Sequence, residues 1–133
     1  TLLYASNFSI GVNIFFEINR KLASLMANRH EYDVQVEEIH HTQKKDAPSG
    51  TALKLKDIVA QHIPKDFSVA ATRAGNIPGT HIVGFDGTAD TVELTHTARS
   101  REGFASGSIL AARWIIGKKG FWEFTEVMDE ILK

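Results

Sequence analysis

The chain has 133 residues, the usual size of one domain and enough to bury a core without disulfides. Its net charge of −1 provides no broad positive field for nucleic acid, and no apolar run reaches the roughly 20 residues that span a bilayer. Zero cysteines exclude a thiolate nucleophile and sulfur-ligated metals, and fit a reducing, cytoplasmic location.

The N-terminal segment predicts a short strand and then a capped helix. Residues 2–5 (Leu-Leu-Tyr-Ala) are typical of the end of a buried strand, and the Thr1 start indicates a chain that begins inside a longer protein. Residues 6–9 supply cap-type side chains before a helical pattern that ends near residues 28–30. Spacings of three and four predict a core-facing stripe of Ile10, Ile14, Ile18, Leu22 and Leu25.

The middle of the chain predicts four strands and one helix. A strand over residues 33–40 would place Val34, Val36, Glu38 and His40 on one face, with His41 pointing the other way. A helix that begins at residues 48–51 and stops at Pro64 has an apolar side formed by Ala52, Leu55, Ile58, Val59 and His62. Further strands are predicted over residues 67–73, 79–86 and 89–98, with a hairpin turn at 86–88.

The C-terminal third predicts two helices. One covers residues 103–117, and the other is a terminal amphipathic helix marked by Phe124, Val127 and Met128. Together the elements predict an α+β fold, in which a mixed or antiparallel sheet of about four strands is covered by helices.

The most informative segment runs from Glu38 to Thr51. His40 and His41 can move protons near neutral pH, and the following Lys44 and Lys45 can hold an anion. The Pro-Ser-Gly-Thr turn at 48–51 opens a helix, so its backbone N–H groups form a second anion site. This combination favours the working face of an enzyme that acts on an acidic small molecule.

Three other functions are disfavoured by the same sequence. A zinc site would draw on His40, His41, His81 or His96, but adjacent strand histidines face apart and paired-ligand spacing is absent, so no metal is expected. Ser49 fits an N-cap better than a nucleophile, since no nucleophile elbow surrounds it. No G-x-G-x-x-G follows a strand, so a complete dinucleotide-binding fold is not predicted here.

Residues 38–52, supported by residues 6–13, 73–75 and 96–107, closely resemble the C-terminal half of the 4-hydroxy-tetrahydrodipicolinate reductase (dihydrodipicolinate reductase) family. The resemblance runs over essentially the whole chain. It implies an NAD(P)H-dependent oxidoreductase of diaminopimelate and lysine biosynthesis that forms tetrahydrodipicolinate and assembles as a homotetramer through its sheet. Residues 1–133 would be the substrate-binding and oligomerisation domain. An N-terminal Rossmann domain outside the chain would hold NADH or NADPH.

The resemblance also implies roles for matched residues. His40 would donate and accept a proton, with Lys44 as a second proton donor. His41 would contact the substrate, and Gly50 and Thr51 would grip a carboxylate. The interdomain stretch that approaches the nicotinamide through its backbone would be Ala5, Ser6, Asn7 and Phe8.

The terminal helices, about residues 104–133, would pack on the cofactor domain. The apolar faces around Trp114, Trp122, Val127 and Ile131 would then lie uncovered in this chain, and the chain alone would be inactive. An alternative from another functional class is a non-catalytic dicarboxylate-binding or assembly module, which keeps the anion contacts and uses no proton chemistry.

Overall fold

A computed structural model describes all residues, Thr1–Lys133, as four α-helices and six β-strands. In chain order the elements are β1 (Leu2–Tyr4), α1 (Ile10–Met26), β2 (Asp33–His40), α2 (Gly50–Ala60), β3 (Val69–Arg73), β4 (Thr80–Asp86), β5 (Thr91–Thr97), α3 (Glu102–Trp114), β6 (Phe121–Glu123) and α4 (Phe124–Ile131). They form two compact units, one of residues 15–99 and one of residues 1–14 with 100–133. None of the helices has the length and apolar character that a membrane crossing requires.

The unit of residues 15–99 is built on a four-stranded mixed sheet, which confirms the predicted α+β class. The strand order is β3-β2-β4-β5, with β2 and β3 parallel and the other pairs antiparallel. The predicted hairpin joins β4 to β5, closed by the Gly87 N–H donating to the Asp90 carbonyl at 2.8 Å. As predicted, Val36, Glu38 and His40 are buried on the same face of β2.

The two faces of this sheet differ in burial. One face carries apolar residues that are buried with those of α2, namely Val36, Val83, Phe85, Ala52, Leu55, Ile58 and Val59. On the other face, Glu37, Ile82 and Thr95 lie in register across β2, β4 and β5. Glu37 and Thr95 are exposed and Ile82 is half-buried. The α2 side predicted from the sequence is therefore confirmed as the side that faces the core.

The predicted core stripe of α1 is only partly confirmed: Ile10 and Ile14 pack on buried residues of the 1–14 and 100–133 unit, but the stripe fails further along the helix. Ile18 is 47% exposed and Leu25 is 63% exposed, whereas the buried residues of this helix are Val12, Asn13, Phe15, Phe16, Asn19 and Ala23. Both sets recur at helical spacing, so periodicity alone could not choose between them. Two phenylalanine rings bury more apolar area than the isoleucine side chains, and they decide which side faces inward.

The second unit joins the two ends of the chain. Strand β1 pairs in parallel with β6, and a core cluster is formed by Ala111, Phe124, Val127 and Met128. Strand β6 was not predicted, because three residues are too few for a periodic pattern. Two expectations fail here: Leu2 and Tyr4 of β1 are exposed rather than buried, and Val127 is fully buried rather than uncovered.

Candidate active site

A row of polar residues crosses the sheet of the 15–99 unit. Glu38 on β2 lies in register with His81 on β4, and His81 lies in register with His96 on β5. Residues paired in register share a face of the sheet, so these side chains project to the same side. His40 projects there too, because it follows Glu38 by two residues on the same strand.

Glu38 lies at the centre of this cluster and is fully buried. Its carboxylate accepts hydrogen bonds from His40 Nδ1, from Arg73 Nη1 (3.0 Å) and from the Ser49 backbone N–H (3.2 Å), and Arg73 Nη2 forms an ion pair with it at 2.9 Å. Burial by itself raises the pKa of this carboxyl group, but the donors from Arg73, His40 and Ser49 outweigh burial and hold it below its usual value. Glu38 is therefore an anion inside the protein, matched by the Arg73 guanidinium.

His40 is buried between Glu38 and Gly79. Its Nδ1 is bonded to Glu38, and its Nε2 faces Gly79, where an ideal Cβ would lie 2.9 Å from that nitrogen. Gly79 has a φ of +153°, a backbone conformation that residues with a side chain rarely adopt. Burial, helped by the charges of Lys44 and Arg73, lowers the pKa of His40 although Glu38 raises it. The environment thus favours the neutral imidazole.

His81 links the sheet to α2. Its Nε2 lies 3.0 Å from Ser49 Oγ, which also accepts the Ala52 N–H at 3.1 Å as the N-cap of the helix. Burial, with a contribution from His40, lowers the pKa of His81 to about 4. His81 is therefore neutral at pH 7, and the predicted capping role of Ser49 is confirmed.

Arg73 fastens the loop between β2 and α2. Its Nε donates to the Lys44 carbonyl at 3.2 Å, and its Nη2 donates to the Asp46 carbonyl. Within the same loop, Lys44 Nζ lies 3.1 Å from Asp46 Oδ1, and this bond holds the pKa of Asp46 below its usual value. The loop is thus held by two of its carbonyl groups, which bond to Arg73, and by an ion pair between two of its own side chains.

The structure brings together most of the residues singled out in the 38–51 segment. His40, Lys44 and the first turn of α2, which carries Gly50 and Thr51, are joined through Glu38, Arg73 and Ser49. His41 follows the end of β2 and is half-buried. Residues 5–8 belong to the other compact unit.

Glu38, Arg73 and His81 were not assigned roles from the sequence. For Glu38 a signal existed, since a carboxylate on the buried face of a strand needs a partner. For His81 the informative fact is its register opposite Glu38, which local pattern does not reveal.

The ligand atoms of Glu38, His40 and His81 lie within 4.8 Å of one another, a spacing that could hold a metal ion. The donor set does not favour one. Arg73 already places a cation against both Glu38 oxygens, and His40 Nδ1 is bonded to Glu38. A metal would have to displace the guanidinium and the His40 bond.

Comparison with known proteins identifies relatives over nearly the whole chain. The family model described as "Dihydrodipicolinate reductase, C-terminus" matches residues 11–128. The 4-hydroxy-tetrahydrodipicolinate reductase of Christiangramia forsetii is 42% identical, over 98% of this chain and 60% of its own length. The enzyme of the same name from Methanosarcina barkeri is 39% identical, over 92% of this chain and 51% of its own length.

The fold is also found among solved structures. An example is described as dipicolinate-bound dihydrodipicolinate reductase from Paenisporosarcina sp. TG-14, with a TM-score of 0.73 and 24% sequence identity. The match covers 91% of this chain and 52% of that one. The chain therefore spans about half the length of the proteins it matches.

Proposed function

The chain belongs to the dihydrodipicolinate reductase C-terminal family, and from this membership we propose that it is the substrate-binding half of an NAD(P)H-dependent 4-hydroxy-tetrahydrodipicolinate reductase. Such an enzyme would serve diaminopimelate and lysine biosynthesis. The observation that carries the proposal is the buried His40, bonded to Glu38, beside a helix N-terminus that shares the same carboxylate.

The substrate would be a cyclic dicarboxylate, as the dipicolinate of the matched solved structure suggests. Gly50 and Thr51 lie in the first turn of α2, where backbone N–H groups and the helix dipole favour an anion. Lys44 adds a partly buried ammonium group in the neighbouring loop, and His41 a half-buried imidazole after β2. Two carboxylates held in this way would orient the substrate ring.

Proton transfer would fall to His40 and Lys44. His40 bonds Glu38 through Nδ1, so Nε2 is the atom that would exchange a proton with the substrate. Lys44 influences His40 through its charge and would be the second donor. The nicotinamide cofactor, NADH or NADPH, would supply the hydride and would be held mainly by sequence outside this chain.

Within the chain, residues 5–8 would meet the nicotinamide. The Asn7 carbonyl already accepts the Asn13 amide at 2.9 Å, and the Phe8 ring packs on Phe124 with centroids 5.3 Å apart. Ser6 is exposed. These contacts would hold the segment of Ala5, Ser6, Asn7 and Phe8 in place for the proposed backbone contact with the nicotinamide.

Two surfaces would meet other parts of the assembly. Residues 104–133 would pack on the cofactor domain, which is supported by Ile116 and Phe121, 78% and 80% exposed in that unit. The open sheet face with Glu37, Ile82 and Thr95 would form the interface between the subunits of a homotetramer. The location of such an enzyme would be the cytoplasm.

The test is a His40→Gln substitution in the whole protein, with the exposed His30→Gln as the matched control. Reductase turnover is expected to fall by about 10² to 10⁴, since proton transfer by one side chain contributes on that order. Calorimetric binding of pyridine-2,6-dicarboxylate is expected to persist in both variants, with benzoate bound more weakly. Unchanged turnover in His40→Gln would contradict the catalytic assignment. Selective dicarboxylate binding without turnover in the wild type would favour the non-catalytic module.

A further inference from the structure

One carboxylate joins the two halves of the site. Glu38 Oε2 accepts from His40 Nδ1 and Arg73 Nη1, and Glu38 Oε1 accepts from the Ser49 N–H and forms an ion pair with Arg73 Nη2. The first oxygen therefore contacts the proton-transfer group, and the second contacts the N-terminus of α2. In the function proposed above, Glu38 is bonded to His40 and to the start of α2, but it is assigned neither a proton to transfer nor a contact with the substrate.

An ionised carboxylate can only accept hydrogen bonds, so its contact with His40 selects a tautomer. Nδ1 must carry the hydrogen, and the proton exchanged with a substrate must pass through Nε2. Gly79 faces Nε2, and its lack of a side chain leaves that nitrogen uncovered by one. The bond to Glu38 and the glycine thus act on opposite sides of the same imidazole.

The contact with Ser49 orients the helix. The Ser49 N–H points at Glu38, and the Ser49 hydroxyl caps the Ala52 N–H. Together these bonds fix the first turn of α2, where Gly50 and Thr51 lie. Movement of the Glu38 carboxylate would therefore disturb the imidazole and the anion site together.

A buried ion pair is weak evidence for a purely stabilising role, because desolvation of the two charges offsets much of their attraction. Glu38 and Arg73 nevertheless place such a pair inside the sheet unit, with every Glu38 oxygen engaged. We propose that Glu38 is a positioning residue, which holds His40 in its Nδ1–H tautomer and aligns it with the N-terminus of α2. This inference rests on the proposed function.

The test compares Glu38→Gln with Glu17→Gln in the whole protein. Glu17 is exposed on α1, and it lies outside both the site and the sheet face proposed for assembly. An amide at position 38 keeps the size of the side chain and replaces one acceptor oxygen by an NH2 donor. In one orientation this donor faces the N–H groups of Arg73. In the other it faces His40 Nδ1, which can then accept a hydrogen bond and give up its hydrogen. The value of kcat is expected to fall at least tenfold in Glu38→Gln and to stay within twofold in Glu17→Gln.

The pH–rate profile provides a readout that a structural role would not move. The charged or titratable groups acting on His40 are Glu38, Lys44, Arg73 and His81. Among them only Glu38 raises the pKa of His40. Its replacement by glutamine is therefore expected to shift the His40 limb of the profile to lower pH. A wild-type kcat together with an unmoved profile in a folded Glu38→Gln protein would overturn the proposal.

Imidazole ¹⁵N NMR of the wild type tests the tautomer without any substitution. The proposal requires the hydrogen on Nδ1 of His40, and a spectrum with the hydrogen on Nε2 would overturn it even where Glu38→Gln does not fold. A wild-type protein without reductase turnover would contradict the proposed function instead. The ¹⁵N spectrum would then decide the Glu38 inference by itself.

Discussion

The buried polar side chains of the sheet unit satisfy one another. Glu38, His40, Ser49 and His81 are all buried, and each has at least one hydrogen-bond partner within the group. The cost of removing a polar group from water is met only by such partners, so each bond constrains the geometry of the next residue. At the scale of single residues, the site is a connected network rather than a set of independent groups.

His81 makes the stability of this network depend on pH. Its pKa is about 4 in the folded chain and 6.5 in the absence of burial, so the unfolded chain binds more protons between these values. The free energy of unfolding should therefore fall as pH falls below about 6.5 and level off below about 4. From pH 7 to pH 5 the contribution of His81 is about 2 kcal/mol.

Urea unfolding at pH 7 and pH 5 measures this loss, with His81→Gln as the comparison. Glutamine can still bond Ser49 but does not titrate, so the variant should lose about 2 kcal/mol less than the wild type over this interval. A smaller pH dependence should remain, because His40 and His96 also have lowered pKa values. An identical loss in both proteins would show that His81 is not the group responsible.

Residue-scale prediction from the sequence succeeded where the signal was local. The Glu38–Thr51 segment correctly indicated that His40, Lys44 and the first turn of α2 lie close together, because they are neighbours along the chain. His81 and Arg73 reach the same place from other strands. Their positions depend on sheet register and order, which no short pattern encodes.

At the scale of elements, helix boundaries were predicted better than helix faces. Capping residues mark where helices begin, and α2 begins at Gly50 after its Ser49 cap as expected, although it ends at Ala60, before the predicted stop at Pro64. In α1 two apolar sides compete, and helical spacing by itself gives no reason to prefer the one with Phe15 and Phe16. Tertiary packing decides which side of α1 faces the core, so the spacing of apolar residues cannot predict it.

Gly107 shows how closely α3 approaches a backbone segment. A Cβ at this position would lie 1.6 Å from the Phe8 carbonyl oxygen, so Gly107→Ala cannot be accommodated without moving the helix. Helix propensity alone predicts the opposite, since alanine is favoured over glycine by about 1 kcal/mol. We expect steric overlap to win and the free energy of unfolding to fall by about 2 kcal/mol or more.

Gly103 provides the control on the same helix. A Cβ there would lie 3.5 Å from Ser9 Oγ, an ordinary contact distance. Gly103→Ala should therefore change the free energy of unfolding by less than about 1 kcal/mol in either direction. Urea denaturation of both variants decides the matter, and equal stability of the two would mean that α3 does not pack on the Phe8 backbone.

At the scale of the whole molecule, the fold class followed from the order of strands and helices, but the division into two units did not. The unit of residues 1–14 and 100–133 depends on β1 pairing with β6, which are separated by more than a hundred residues. Pairing at such separation leaves no local trace. The four-stranded sheet could be predicted because its strands are longer and are separated by recognisable turns.

The sheet face opposite the helix-covered one provides the last prediction, on assembly. Its side chains alternate with the buried ones along each strand, and Thr95 is exposed in register with the half-buried Ile82. If four copies associate through this face, Thr95→Arg places a charge and a large side chain inside the interface, where an unpaired charge is strongly unfavourable. Ala60→Arg makes a similar change at an exposed position of α2, away from this face.

Size-exclusion chromatography with light scattering gives the mass of each assembly. We expect the wild type and Ala60→Arg to have the mass of a tetramer, and Thr95→Arg to have a smaller mass with unchanged circular dichroism. An exposed strand position tolerates arginine within one copy, so a smaller mass would report the interface and not the fold. A tetrameric Thr95→Arg protein would place the interface on another surface, and a monomeric wild type would contradict the homotetramer.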